Sequence, residues 1–411
     1  MKRAVILSIF DQGMISAFNL VLNLAFIAHA TPSEFGRFAL VQAIAFFALS
    51  AQNALVIMPL NYLVPGRPAA EANQQLSMLT SANIALMAAC LPLGLIFAYA
   101  IAADVTLSLV ILGYFVVMLA REYTRNVLIV GGRMAGALAY DVAAIVFSAL
   151  LVLLAWQWLP PVVAALFGVA GANALVLLIG RIELHWNSGA FVDHLRSYGV
   201  VWKETRWALQ GALQNEVEAR SYVLMVEAWR DAAALGALQA GRTVMSPLLL
   251  IAPSWRRIAR PRLVEHFQHD RMDAALKLLW AGALVIAAAA IAYAIVLQLA
   301  WPLFEAYVFT GRYIDMQSIV WSWWLYAVIV GMAGVATTML EALRQFRALA
   351  ALGFGLAVLI VVLLAGLIAN GFDLATVVLA LAGVHALELL VLVILVARHF
   401  LARPATVGGR A

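Results

Sequence analysis

Four ionisable residues, Glu216, Glu218, Arg220 and Glu227, fall inside GALQNEVEARSYVLMVEAW (211–229), a stretch otherwise apolar and long enough to cross a bilayer. Residues three, four and seven apart on a helix share a face. Glu216, Arg220 and Glu227 therefore make one stripe, with Val223 as an apolar step between its charged ends. Glu216 precedes Arg220 by four, the favourable order for an acid–base pair. Glu218 lies about 200° around from Glu216, beside Tyr222, and Asn215 flanks the stripe at about 100°. A charge at the bilayer centre costs about 2.5–3.5 kcal/mol on insertion scales. The stripe is thus expected to avoid lipid. It is either a buried structural ion pair or a group in a hydrated cavity that senses substrate or a coupling cation.

Other polar residues sit in apolar surroundings. Asp11, Asn19 and Asn23 share one broad face of the first apolar stretch, and Asp11 reads as an H+ or Na+ site or as a capping residue near the interface. Arg242 suits an anion-attracting role, a partner for Glu227, or snorkelling. Arg121 and Arg125, one turn apart, could receive a pyrophosphate headgroup as paired donors or simply anchor a helix end. Asp141 and the His385–Glu388 pair carry less signal, and His-x-x-Glu reads as packing rather than as a metal site. No P-loop, His-Glu-x-x-His or Gly-x-Ser-x-Gly motif occurs, so ATP hydrolysis and the common hydrolases are set aside. The expectation is a non-enzyme without cofactor or metal, driven by H+ or Na+, the membrane potential or the substrate gradient.

What must position these residues follows from composition. Of 411 residues, 65% are hydrophobic and 11% charged, against about 45–50% and about 25% in soluble domains. Such a chain must be solvated by lipid. Breaking it at charged, Pro and Gly clusters gives twelve candidate spans, at approximately 4–28, 38–63, 76–101, 105–120, 135–157, 162–181, 206–228, 232–254, 274–300, 317–341, 347–369 and 374–397. MKRAVILSIFDQG reads as the start of an uncleaved first helix. With the N-terminus inside, 21 of the 26 Lys and Arg face the cytoplasm; only Arg37, Arg230 and Arg312 lie outside, and Arg220 and Arg242 lie within helices. This positive-inside bias puts both termini in the cytoplasm and explains the net charge of +5 without nucleic acid, including the basic loop 256–271. Trp156, Trp158, Trp229, Trp301, Trp321, Trp323 and Trp324 fall at outer helix ends, and Trp202, Trp207, Trp255 and Trp280 at inner ones. The single cysteine, Cys90, excludes an intrachain disulfide.

The most polar loop, 182–205, divides an N-terminal six-helix lobe (1–181) from a C-terminal one (206–397), followed by a cytoplasmic tail (398–411). The halves echo each other: TPSEFGRFALVQA (31–43) and RDAAALGALQAGR (230–242) both place a glycine, Gly36 or Gly236, at the start of the second helix. Six helices per half give both halves one orientation, so their relation is a pseudo-twofold along the membrane normal. Repeats of this kind build transporters with a central substrate path and alternating access.

The residues also carry a resemblance. DQGMISAFNLVLNLAFIAHATPSEFGRFALVQAIAFFALSAQNALVIMPLNYLVPGR (11–67), ALGALQAGRTVMSPLLLIAPSWRRIARPRL (234–263) and FTGRYID (309–315) resemble parts of bacterial polysaccharide flippases. These form the polysaccharide-transporter branch of the multidrug/oligosaccharidyl-lipid/polysaccharide exporter superfamily. The resemblance implies an all-α polytopic protein of the inner membrane that moves undecaprenyl-pyrophosphate-linked oligosaccharide between leaflets. It further implies partners among lipids and the polysaccharide polymerase and export machinery. The rivals are a multidrug or small-cation antiporter of the same superfamily, a membrane glycosyltransferase or polysaccharide polymerase, and a non-transporting scaffold. Short outer loops speak against the polymerase. VPGRPAAEANQQ (64–75) lacks the basic loop of a major-facilitator sugar porter.

Overall fold

A computed structural model describes residues 2–102, 105–180 and 190–401. Every regular element in it is helical: α1 Lys2–His29, α2 Pro32–Gln52, α3 Met58–Leu63, α4 Ala69–Ala102, α5 Val105–Val130, α6 Met134–Ala155, α7 Pro161–Ile179 and α8 Phe191–Trp229. The chain continues through α9 Ala232–Val244, α10 Ser246–Leu249, α11 Ile251–Gln268, α12 Met272–Leu303, α13 Met316–Ala342, α14 Phe346–Ala369 and α15 Leu374–Leu401. Single π turns at Asn53–Ile57 and Phe304–Phe309 extend α2 and α12 without ending them.

Among the described residues ten helices are long and apolar enough to span a membrane, and α9 with α10–α11 makes an eleventh, bent by 61°. The charged α8 is the twelfth rod; its 39 residues are about 58 Å long at 1.5 Å per residue, well beyond the roughly 30 Å of hydrocarbon. The protein is therefore a multi-pass, all-helical membrane protein.

Three local features differ from the sequence reading. Residues 191–205, assigned to the loop between lobes, are the first turns of α8; residues 182–189 of that loop, with Arg181 before it, and 402–411 of the tail lie outside the described residues. These turns are held by side chains, because Tyr198 donates to the Leu55 carbonyl at 2.6 Å and His194 Nδ1 meets Ser81 Oγ at 3.1 Å. The span expected at 105–120 runs on to Val130, which puts Arg121 and Arg125 inside α5. The span expected at 232–254 breaks after Val244, where Pro247 enters the first turn of α10 and cannot continue the hydrogen-bond ladder.

The described chain forms two compact units. The first comprises α1 as far as Phe26, together with Arg37–Glu216. In it α6 packs closely on α7 through small residues: Ala137, Ala144, Ala164, Ala165 and Ala172 are buried, and Gly168 sits against the Val152 backbone. Backbone proximity of this kind is how apolar helices associate where water supplies no driving force. The second unit comprises Ile27–Gly36 and the described residues from Val217 onward. Its core is α13, which packs closely on α15 and α11 and buries Trp323, Ala333, Met339 and Leu340.

The sequence echo has a structural counterpart inside the second unit. A Cβ on Gly36 would overlap the carbonyl of Ala232, and a Cβ on Gly236 would overlap that of Pro32. Each of those carbonyls lies four residues before the other glycine, so the contact is reciprocal. Both helix starts are capped by acids: Thr31 N–H donates to Glu34 Oε2 at 2.8 Å, and Ala234 N–H donates to Asp231 at 2.7 Å.

Candidate functional site

The first unit contains a buried ion-pair cluster. Asp141, the lone charged residue of α6, is fully covered and accepts from Arg125 Nε at 2.6 Å; its other oxygen pairs with Arg121 Nη2. Asp11, 1% exposed, accepts from Arg125 Nη2 at 2.5 Å, and Glu122 lies 3.7 Å from Arg125. One turn apart on α5, the two arginines thus present a fork that clamps one carboxylate between them. An arginine deep in an apolar helix is tolerable only with such partners, which is why α5 need not end at residue 120.

Among the described side chains of α1, Asn19 and Asn23 do not join this cluster. Asn23 Nδ2 donates to the carbonyl of Asn19 at 2.7 Å, one turn back, and the Asn19 side chain faces outward. From α8, Glu216 belongs to the first unit and accepts from Ser50 Oγ at 2.7 Å. Asn215 is exposed, whereas Arg220 and Glu227 are half-buried residues of the second unit. Val223, the apolar step of the expected stripe, is 2% exposed.

Arg242 is the centre of the second unit's polar group. It lies in the last turn of α9, just before the break in that span. Its Nη1 donates to the Tyr222 hydroxyl at 2.9 Å and to the Ala219 carbonyl at 3.1 Å. Tyr222 in turn donates to Gln239 Oε1 at 2.7 Å. The guanidinium carbon lies 5.6 Å from the Tyr222 ring centre and 5.7 Å from that of Trp323, close enough for both rings to favour a desolvated cation. Trp323 is fixed in turn by its Nε1–H, which donates to the Leu238 carbonyl at 2.9 Å. The expectation that Trp323 belongs to the outer aromatic belt therefore fails: it is 1% exposed and bonded to α9.

Arg242 thus places a cation among the polar and aromatic side chains of the second unit, while Asp11 and Asp141 of the first unit are each paired with an arginine. Asp141 carried little weight from sequence, although an acid alone in a 22-residue apolar helix opposite an i,i+4 arginine pair is a usable signal. Gln239, Tyr222 and Trp323 gave no comparable signal, because each type is ordinary in a membrane helix.

No family model and no curated protein matches the sequence. Solved structures do match the fold. An inward-facing multidrug-resistance MATE transporter of the MOP superfamily aligns with TM-score 0.69 at 10% identity, over 94% of each chain. The lipid II flippase MurJ, in an inward closed conformation, aligns with TM-score 0.69 at 12% identity, over 97% of this chain and 88% of its own. A MOP-superfamily transporter from Pyrococcus furiosus, whose binding pocket is described as reversed in polarity, aligns with TM-score 0.61 at 11% identity over 97% and 95%. The chain has the fold of these transporters.

Proposed function

We propose that this protein is a flippase of the polysaccharide-transporter branch of that superfamily. It carries undecaprenyl-pyrophosphate-linked oligosaccharide across the bacterial inner membrane, with both termini in the cytoplasm, for assembly into exported polysaccharide. In this reading two six-helix lobes alternate access to a hydrated path. The sugar-pyrophosphate head crosses in that path and the polyprenyl tail stays in lipid, since a charged, hydroxyl-rich head cannot enter hydrocarbon unaided.

The observation that carries the proposal is Arg242. A cation held by Tyr222 and Trp323 beside a break in its span offers a fixed charge to a phosphate oxygen. The broken helix supplies irregular backbone of the kind that transporters tolerate where it lines a cavity. A likeness to the lipid II flippase fits a lipid-linked cargo. A multidrug cation antiporter needs carboxylates available to a cationic drug; here Asp11 and Asp141 each hold an arginine.

Deletion of the gene tests the proposal. The expected result is loss of surface or secreted polysaccharide with accumulation of the lipid-linked intermediate, and complementation by wild type but not by R242Q. Unchanged glycan and intermediates in a strain without a paralogue, or drug sensitivity alone, overturn it.

A further inference from the structure

The first unit holds a cavity that its ion-pair cluster does not use. The cavity measures about 300 Å³ and lies where the end of α5, the start of α6 and the end of α7 meet. That volume is at the lower end of the range for ligand pockets. Arg133, Tyr140, Ala143 and Phe147 line one wall. Seven, three and four residues apart, they form a single stripe along α6 and the residue before it. Leu128 of α5 and Val176 of α7 face them across the cavity.

The stripe is graded in polarity from one end. Arg133, at the mouth, is exposed and has no ion-pair partner among the described residues. It is the N-cap residue of α6, and no side chain caps that helix. The free N–H groups of the first turn and the positive end of the helix dipole therefore add to its charge. The carbonyl end of α7 reaches the same cavity at Gly180, but about half a negative charge does not cancel a guanidinium. Two turns further in, about 10 Å along the axis, stands Tyr140, which is 5% exposed. Its hydroxyl is buried without a hydrogen-bond partner among the described residues, and a buried hydroxyl ordinarily has one. Beyond it the stripe is apolar, at Ala143 and Phe147.

We infer that this cavity binds an anionic membrane phospholipid. Its phosphate lies against Arg133 and the first turn of α6, the Tyr140 hydroxyl donates to an ester carbonyl, and one acyl chain runs inward between Phe147 and Val176. A cation, then a lone donor, then hydrocarbon is the order of complementary groups along such a lipid. A free phosphate would use the mouth alone and leave the apolar depth empty. A zwitterionic lipid would bring a second cation to the one already there. Basic pockets between helices on the cytoplasmic side are suited to anionic headgroups, and the proposed topology puts the turn between α5 and α6 on that side. Bound there, the lipid ties the ends of α5, α6 and α7 together and stabilises the folded form by mass action. The site does not involve Arg242 and stands independently of the flippase reading.

Photocrosslinking of the full-length protein in phosphatidylcholine nanodiscs tests this, with phosphatidylglycerol carrying a diazirine in one acyl chain as the probe. Adducts are expected on the segments 139–147 and 176–180, and unlabelled phosphatidylglycerol is expected to compete them away. Inorganic phosphate and further phosphatidylcholine are expected not to compete. R133Q, at an exposed position, should lower the yield of these adducts about tenfold through loss of the charge-assisted contact. Y140F should lower it several-fold. A139W, a bulky replacement at an exposed residue of the cavity wall, should abolish it while the protein still elutes as a monodisperse peak. Adducts confined to other segments, full competition by inorganic phosphate, or wild-type labelling of R133Q overturns the site. Displacement by polyprenyl phosphate but not by phosphatidylglycerol also overturns it, since the occupant would then be a cargo tail. No readout involves transport, so failure here and failure of the flippase reading are told apart.

Discussion

Replacing Asp141 by Asn removes the shared carboxylate of the first unit while nearly preserving its volume. Asp141 is fully covered and bonded to both Arg125 and Arg121. Breaking a buried pair by deleting one partner costs about 3–5 kcal/mol. The arginines keep 15–17% of their side-chain surface, so part of their charge can relax outward. Arg125 also retains Asp11 at 2.5 Å and Glu122 at 3.7 Å. Arg121 has no second carboxylate among the described residues, so the loss falls mainly on it. The net expectation is about 3 kcal/mol for D141N, or roughly a hundredfold in the folded ratio, against about 1–2 kcal/mol for D11N, which leaves Arg125 with Asp141. R121Q/D141N should recover much of the loss, because the stranded cation is gone. Fluorescence-detected size-exclusion after a heat series ranks the four proteins. If D141N matches wild type, or if D11N is the more damaging change, the cluster is not held as described.

Other expectations follow from single contacts. G36A and G236A should each abolish the monodisperse folded peak, since the added methyl meets backbone carbonyl rather than a movable side chain; normal yield from either would contradict that close approach. Arg312 donates to the Ala30 carbonyl at 3.0 Å and to that of Ala28, closing the open carbonyls at the end of α1, so R312A should cost about 1–2 kcal/mol in the same heat series. Burial holds the Tyr313 phenol well above its ordinary value of 10.0, with Glu34 adding to the shift and Arg312 opposing it. The folded form thus keeps a proton that the unfolded form sheds: stability is intact below about pH 10 and falls as pH rises beyond it. Y313F should remove that alkaline loss in melts between about pH 9 and pH 12.

The sequence made the solvent and the helical architecture legible, because a chain with 11% charge cannot cover itself in water. It also marked Gly36 and Gly236, each at the start of the second helix of its half. Tertiary partners were beyond its reach. The polar start of α8 looked like a loop because its anchors, Leu55 and Ser81, lie more than 100 residues upstream. Arg121 and Arg125 looked like a helix end because periodicity does not reveal that Asp11 and Asp141 neutralise them. Trp323 looked interfacial because burial of its ring depends on α9 packing beside α13.

The central claim is that Arg242 serves the passage of an anionic lipid-linked glycan. Its most direct test is reconstitution of wild type and R242Q in proteoliposomes bearing a fluorescent polyprenyl-pyrophosphate oligosaccharide, with leaflet exchange read by an impermeant quencher. Exchange by wild type and its loss in a well-folded R242Q would bear the account out. Equal exchange by both proteins, or uptake of a cationic dye with no lipid exchange, would contradict it.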